Sequence, residues 1–222
     1  MVRNYLDQPL DDEVRDRLLA AALRAPSAGF TQGWGCLVLA QPQDRQTFWM
    51  TEGSGIAGQT EPDPVLAGPQ RAPLVIVPFA HKQAYLDRCQ EPDKVDYGLV
   101  EAQWRVPYWY VDAGMAALLM LLAAVDEGLG ACFFDLDAGD AALRTAFGVP
   151  DGYSAVGALT VGHLAPDVRS PSLARGHRPV SEVVHLGRWS DRSPVAQRPA
   201  LAAGPVRRPP AAAGRCPPIL RL

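Results

Sequence analysis

The sequence has few of the side chains that bind metals or form disulfides. It contains four histidines and four cysteines in 222 residues. The cysteines are scattered along the chain at Cys36, Cys89, Cys132 and Cys216. No Cys-x-x-Cys pair occurs, and no histidine spacing completes a zinc site. The sequence therefore predicts neither a disulfide framework nor a metal site, and it favours a reducing compartment.

The usual sequence signals for export and for nucleotide or hydrolase chemistry are also missing. Polar residues such as Arg3, Asn4 and Asp7 interrupt the N-terminus, so we expect no signal peptide and a cytoplasmic protein. No P-loop, GxSxG or HExxH pattern occurs. Three glycines in 53–58 have GxGxxG spacing, but the prolines at 62 and 64 prevent the helix that would present its N-terminus to a pyrophosphate.

The charge is small and unevenly distributed. Residues 191–222 contain six arginines and one aspartate, a net charge of +5, so residues 1–190 carry −8 of the total of −3. An acidic body of this kind lacks the concentrated basic face that nucleic acids require. Because 191–222 is rich in Pro, Ala and Gly without apolar periodicity, we expect one domain over 1–190 followed by a disordered tail.

One apolar run, 106–125, is about as long as a membrane-spanning helix. Asp112 and Pro107 lie inside it, and the uninterrupted apolar part, 115–125, is too short to cross a bilayer. The run therefore predicts a helix that is apolar on all sides and buried in a protein core, and no membrane association.

The remaining pattern interleaves helices and strands irregularly. Helices are expected from Asp11 or Asp12 to Pro26, near 43–50, at 110–127 and at 140–147. Strands are expected at 35–41, 72–80, 131–136 and 153–164, with a loop over 51–70. This order favours an α+β sandwich over a repeated βαβ fold.

Several segments occur in an order that resembles one family. They are RNYLDQPLDDEVRDRLLAAALRAPSAGFTQGW, VDAGMAALLMLLAAVDEGLGACFFDL, FGVPDGYSAVGALTVGHLAPD and RGHRPVSEVVHLGRW. Together they cover most of residues 3–189, and they are similar to the N-terminal, central and C-terminal motifs of the nitroreductase family. The resemblance implies a three-layer sandwich with a central, mostly antiparallel sheet flanked by helices. It also implies a homodimer that holds FMN between its subunits.

The resemblance assigns cofactor-binding positions residue by residue. Arg3 corresponds to the basic position near flavin N1 and the C2 carbonyl, where a guanidinium stabilises the negative charge of the reduced ring. Ser27, Ala28, Gly29 and Gln32 match the loop that approaches the flavin from the opposite subunit, where small residues let the backbone come close to the ligand. No catalytic side chain is implied, because the cofactor carries the chemistry.

Two further groups complete the implied site. Phe133, Phe134, Asp135 and Leu136 match the strand end whose backbone N–H faces flavin N5, although glycine is frequent at the position of Leu136. Arg175 and Arg178 match the basic pair that holds the FMN phosphate, and His177 is an alternative to either arginine. The family's upstream phosphate-binding residues are absent before Met1. Either the natural start lies upstream, which we favour, or FMN binding is weakened.

The implied reaction passes hydride from NADH or NADPH through flavin N5 to an electron-poor small molecule. Nitroaromatic or quinone-like acceptors are the first hypothesis. A flavin-dependent dehydrogenase or reductase of a biosynthetic pathway, and a non-catalytic flavin-binding protein, are the alternatives. Aromatic side chains are expected either to wall the substrate cavity or to pack in the core or dimer interface: Trp104, Tyr108, Trp109 and Tyr110.

Overall fold

A computed structural model describes residues 1–53, 67–95, 98, 100–136, 139–166 and 170–189. The chain divides into two compact units, Met1–Val168 and Arg169–Leu222. The predicted tail, 191–222, and the end of the GxGxxG segment, 54–58, lie outside the described residues. The two units are described separately below.

The first unit contains five helices and five strands among its described residues. In chain order they are α1 (Asp12–Ala22), β1 (Trp34–Leu39), α2 (Pro42–Gly53), β2 (Leu74–His81), α3 (Lys82–Arg88), α4 (Tyr108–Asp126), β3 (Gly130–Phe134), α5 (Gly139–Phe147), β4 (Tyr153–Ala155) and β5 (Ala158–Gly162). Short 3-10 turns occur at Ala28–Phe30, Pro69–Arg71 and Glu101–Gln103. Most of the predicted elements are thus present.

The strands form one antiparallel sheet in the order β1-β2-β5-β3, with β4 paired to the end of β2. In the register, Leu37 lies opposite Val77, Ile76 opposite Leu159, and Cys132 opposite Thr160. Every described pair of strands is antiparallel. The predicted mostly antiparallel central sheet is confirmed.

The two faces of β2 pack against different helices, because successive side chains of a strand point to opposite sides. Leu74 and Ile76 join the core that contains α1 and α4. Val75 and Val77 join the core that contains Phe48 of α2 and Leu143 of α5. The unit is therefore a three-layer sandwich, as predicted.

Three elements differ from the sequence-based expectation. The single strand expected over 153–164 is two strands, because the chain turns at Gly157, whose φ is +132°. A Cβ there would lie 2.5 Å from Cζ of Phe133, so only glycine fits. Helix α2 extends to Gly53, beyond the helix expected near 43–50 and into the loop expected over 51–70. Helix α3 was not predicted.

Helix α4 has one buried and one exposed face. Its small residues Ala113, Ala116 and Ala117 are buried in the sandwich. The opposite face carries exposed apolar side chains at positions three and four residues apart: Val111, Met115, Leu118, Leu122 and Val125. This helix is the one described helix whose length and composition would suffice to cross a membrane. The helix is apolar on all sides, as predicted, but in the single chain only one of its faces is buried.

The second unit is described over residues 170–189. It contains a 3-10 helix, Pro171–Arg175, and one turn of α-helix, α6 (Val180–Val183). The guanidinium of Arg178 lies 3.2 Å from the carboxylate of Glu182. The rings of His185 and Trp189 stack with their centroids 4.1 Å apart.

Candidate functional site

The loop that follows α1 has an unusual backbone. Gly29, Phe30 and Gln32 all have φ between +53° and +63°. For Phe30 and Gln32 this left-handed conformation carries strain, and such strain is concentrated at functional sites. The Phe30 side chain is 76% exposed, so burial does not offset the strain. The loop is therefore held in place by other contacts.

Two hydrogen bonds within the loop hold this conformation. The hydroxyl of Ser27 accepts from the backbone N–H of Gln32 at 3.0 Å. The Thr31 hydroxyl donates to the carbonyl of Ala28 at 2.6 Å. Ser27 thus has a local structural role in addition to the ligand contact predicted from sequence.

A buried carboxylate on α4 anchors the loop to the rest of the unit. Asp112 is 3% exposed. It accepts a hydrogen bond from the Ala28 backbone N–H at 2.7 Å and another from the Tyr85 hydroxyl at 2.8 Å. In the part of the chain that the structure describes, no cationic side chain lies within ion-pair distance of it. Neutral donors alone therefore compensate its desolvation.

Tyr85 connects this carboxylate to α3. Its side chain is fully buried, and burial, followed by the hydrogen bond to Asp112, raises the pKa of its phenol. The ring occupies the space beside Gly33, where a Cβ would lie 2.3 Å from it. Tyr85 therefore remains a neutral hydrogen-bond donor over the physiological pH range.

An arginine of α3 binds the same loop from outside. The Arg88 guanidinium donates to the carbonyl of Gly29 at 3.0 Å. It also forms a two-point ion pair with Asp93, at 2.6 and 2.7 Å, and contacts Glu91 at 2.8 Å. The hydrogen bond from Arg88 lowers the pKa of Asp93 to about 2. The Ala28–Gly29 segment is thus held by α4 at its N–H end and by α3 at its carbonyl end.

A cavity of about 440 Å³ opens beside this loop. Its lining combines the loop, one end of α3 and the segment that leads into α4: Ala28, Gly29, Thr31, Tyr85, Arg88, Cys89, Lys94, Gln103, Trp104, Arg105 and Tyr108. The volume is within the range of small-molecule sites. Two loop residues predicted to contact the flavin, Ala28 and Gly29, thus line the cavity, together with two of the four predicted cavity aromatics.

The predicted strand-end residues have other neighbours. Phe133 packs against the α1 and α4 core, and Phe134 stacks on Trp49 with ring centroids 5.7 Å apart. Asp135 is exposed and accepts a hydrogen bond from the Leu136 N–H at 2.9 Å. One of the backbone N–H groups at the strand end that the resemblance places against flavin N5 is therefore bonded to the neighbouring carboxylate here.

Arg3 lies in an N-terminal segment attached to the other end of β3. The N–H of Val2 donates to the Ala131 carbonyl at 3.0 Å, and Tyr5 pairs with Leu164. Tyr5 is buried and hydrogen-bonds to Thr160 of β5. This anchoring fixes the backbone on both sides of Arg3, whose side chain is half-buried.

Arg175 and Arg178 belong to the second unit. Arg175 ends its 3-10 helix, and Arg178 forms the exposed ion pair with Glu182. His177 lies between them and is exposed. The assignment of these residues to an FMN phosphate remains a prediction from the resemblance.

The sequence-based reasoning did not identify Asp112, Tyr85 or Arg88 as site residues. For Asp112 a signal existed, because it is the one carboxylate within the apolar run 106–125. A buried carboxylate in an apolar helix needs hydrogen-bond donors. Nothing in the local sequence indicates that Tyr85 and the Ala28 N–H are those donors.

Comparison with known proteins identifies the family. The family model for the Nitroreductase family matches residues 1–163. An FMN-dependent nitroreductase from Clostridium difficile R20291 is 22% identical, with a TM-score of 0.58 over 85% of this chain and 94% of that one. A protein from Exiguobacterium sibiricum 255-15 in complex with FMN is 20% identical, with a TM-score of 0.57 over 80% of this chain and 92% of that one.

A third similar structure is named for NADH dehydrogenase or NAD(P)H nitroreductase activity and comes from Parabacteroides distasonis ATCC 8503. It is 20% identical to this chain, with a TM-score of 0.58 over 85% of this chain and 92% of that one. These structures support the fold, and the family match covers most of the chain. The chain belongs to the nitroreductase family.

Proposed function

We propose that the protein is an FMN-dependent oxidoreductase that transfers reducing equivalents from NADH or NADPH to nitroaromatic or quinone-like small molecules. The observation that carries this proposal is the cavity beside the strained Ser27–Gln32 loop in a member of this family. Similar structures are named as FMN-dependent or contain FMN. We also propose that the protein acts in the cytoplasm.

The residues present fit a flavin mononucleotide. The loop offers small side chains at Ala28 and Gly29, and Gly29 is exposed, so a flat ring can approach the backbone. Arg3 supplies a positive charge beside β3, and Arg175 and Arg178 supply charges suited to a phosphate dianion. Bound FMN supplies two-electron redox chemistry that amino-acid side chains lack.

The chain's own residues bind and orient the reactants in this proposal. Asp112 and Arg88 hold the Ala28–Gly29 segment in one position, so the loop face is organised before any ligand arrives. Trp104 and Tyr108 form an aromatic wall on which a planar acceptor can stack. Proton transfer by a dedicated side chain is not required, because the cofactor would carry the chemistry and the protein residues would supply position and electrostatics.

A colour assay tests this function. The purified, FMN-loaded protein should lose its yellow colour when NADH or NADPH is added without oxygen, and a nitroaromatic or quinone should restore it. Bleaching by a different organic reductant alone would indicate a dehydrogenase of another pathway. A stable colour with every donor would indicate a non-catalytic flavin-binding protein. Either of these two results would contradict the proposal.

Replacing Arg3 should make the flavin harder to reduce. In Arg3→Ala, the reduced ring loses a nearby positive charge worth about 1 to 3 kcal/mol when partly desolvated. A redox titration of the bound flavin measures the change, and Arg24→Ala, another arginine of the first unit, is the control. An unchanged midpoint potential in Arg3→Ala would remove Arg3 from the proposed site.

We further propose that the protein is a homodimer with helix α4 in its interface. The exposed apolar residues of α4 form a continuous stripe, and an apolar stripe of this kind on one chain is typical of a surface that a partner covers. In a two-fold dimer the same stripe meets its own copy. The Ser27 loop would then complete a flavin site whose remaining residues come from the other chain.

The tail over 191–222 should be dispensable for this function. Its composition cannot support a core, and we propose that residues 1–190 form the complete flavin-binding domain. A protein truncated after residue 190 should keep its flavin and its oligomeric state, as measured by absorbance and light scattering. Loss of either in the truncated protein would assign the tail a structural role.

A further inference from the structure

The cavity beside the Ser27–Gln32 loop has an uneven charge distribution. Among the residues that the structure describes, three cationic side chains line it, Arg88, Lys94 and Arg105, and no aspartate or glutamate does. The oxygens of a neutral quinone or nitroaromatic can accept hydrogen bonds from these groups, but they bring no negative charge to pair with them. The lining therefore indicates a ligand with an anionic substituent.

The three cations differ in how far they are neutralised. Arg88 is bound to Asp93 and Glu91, so most of its charge is compensated. The amine of Lys94 lies 3.9 Å from Asp93, at the limit of an ion pair. Arg105 is exposed, and in the described part of the chain no acidic side chain lies within 4 Å of its guanidinium. Arg105 is thus the cation best able to bind an incoming anion.

Part of the cavity lining is a set of aromatic rings packed on one another. The Trp104 ring packs edge-on against Tyr85 and Tyr108, with centroids 6.1 and 5.8 Å apart. It also packs on Trp109 at 5.8 Å. Rings fixed in this way offer a surface for a planar ligand at little entropic cost. Arg105 directly follows Trp104, so the charge and the ring belong to one short segment.

We infer that this cavity selects planar aromatic acceptors that carry a carboxylate, with the ring against Trp104 and Tyr108 and the carboxylate at Arg105. Guanidinium and carboxylate form strong two-point hydrogen bonds, whereas an uncharged substituent gains only neutral ones. The inference rests on the proposed function, because it names the class of acceptor for that reaction.

A binding experiment without electron donor tests the inference. Isothermal titration calorimetry on the oxidised, FMN-loaded protein compares p-nitrobenzoate with p-nitrobenzamide, which has the same shape and no charge. The carboxylate should bind about fivefold to tenfold more tightly. Arg105→Gln should remove this preference and leave the amide unaffected. Arg24→Gln, an exposed arginine outside the cavity lining, should keep it.

Two results would overturn the inference. One is equal affinity for the acid and the amide in the unmodified protein. The other is tighter binding of adenosine 2′,5′-bisphosphate than of p-nitrobenzoate, lost in Arg105→Gln, which would assign the cavity to the phosphate-bearing electron donor. Because no turnover is measured, a protein that prefers the carboxylate but is not bleached by NAD(P)H would contradict the proposed function, whereas the preference of the cavity for aromatic carboxylates would still be established.

Discussion

Asp112→Ala should lower the free energy of unfolding by about 2 to 6 kcal/mol, because each of the two polar groups left without a partner costs about 1 to 3 kcal/mol. The two groups are the Tyr85 hydroxyl and the Ala28 N–H, both of which donate to this carboxylate. Domains of this kind are stable by only about 5 to 15 kcal/mol, so the loss is large. Urea unfolding at neutral pH measures it.

Matched variants distinguish the loss of the hydrogen bonds to Asp112 from general damage to the core. Asp112→Asn retains one acceptor oxygen and should lose less stability than Asp112→Ala. Tyr85→Phe should destabilise the unmodified protein but cause little further loss in an Asp112→Ala background, where its partner is already absent. Additive losses in the double variant would show that the two side chains act independently, contrary to the geometry.

The same variant should also affect the proposed flavin site. Without Asp112, the Ala28 N–H loses its attachment to α4, and the strained residues Phe30 and Gln32 can relax. We expect Asp112→Ala to bind flavin more weakly at temperatures where it remains folded. Equilibrium dialysis against FMN, with folding monitored by circular dichroism, distinguishes this effect from unfolding. Unchanged FMN affinity in the folded variant would show that the Ser27–Gln32 loop is not part of the flavin site.

Leu118→Glu combined with Leu122→Glu should convert the protein to a colourless monomer. These side chains are 53% and 56% exposed in the single chain, so charges are tolerated by the fold. In the proposed interface, each chain would bring two carboxylates against two others in an apolar contact, where both desolvation and like-charge repulsion oppose association. Light scattering gives the mass, and the flavin absorbance gives the occupancy.

A control variant makes this result specific to α4. Met50→Glu places the same charge on α2, at a side chain that is 69% exposed and lies on a different helix. It should remain a yellow dimer. If the double variant Leu118→Glu with Leu122→Glu were a yellow monomer, one chain would complete the flavin site alone. If the double variant remained a dimer, α4 would not lie in the interface.

Local patterns in the chain predicted most elements of the sandwich. A short β-prone run bounded by proline and polar residues identified β2, and the apolar run with glycine behind it identified α4. Helix α3 was missed because its seven residues are too short to show helical periodicity. The strand over 153–164 was not divided because the close contact of Gly157 with Phe133 involves residues far apart in sequence.

The order of helix and strand patterns in the sequence indicated an α+β sandwich, and the order of its motifs gave the resemblance to the family, which implied the antiparallel three-layer sheet and the role of the small-residue loop. Only the tertiary structure decided which face of α4 is buried, since all its faces are apolar in sequence. It also decided that Asp112 meets Ala28 and Tyr85, 84 and 27 residues away. Such contacts depend on how helices pack across the sheet, which no local pattern encodes.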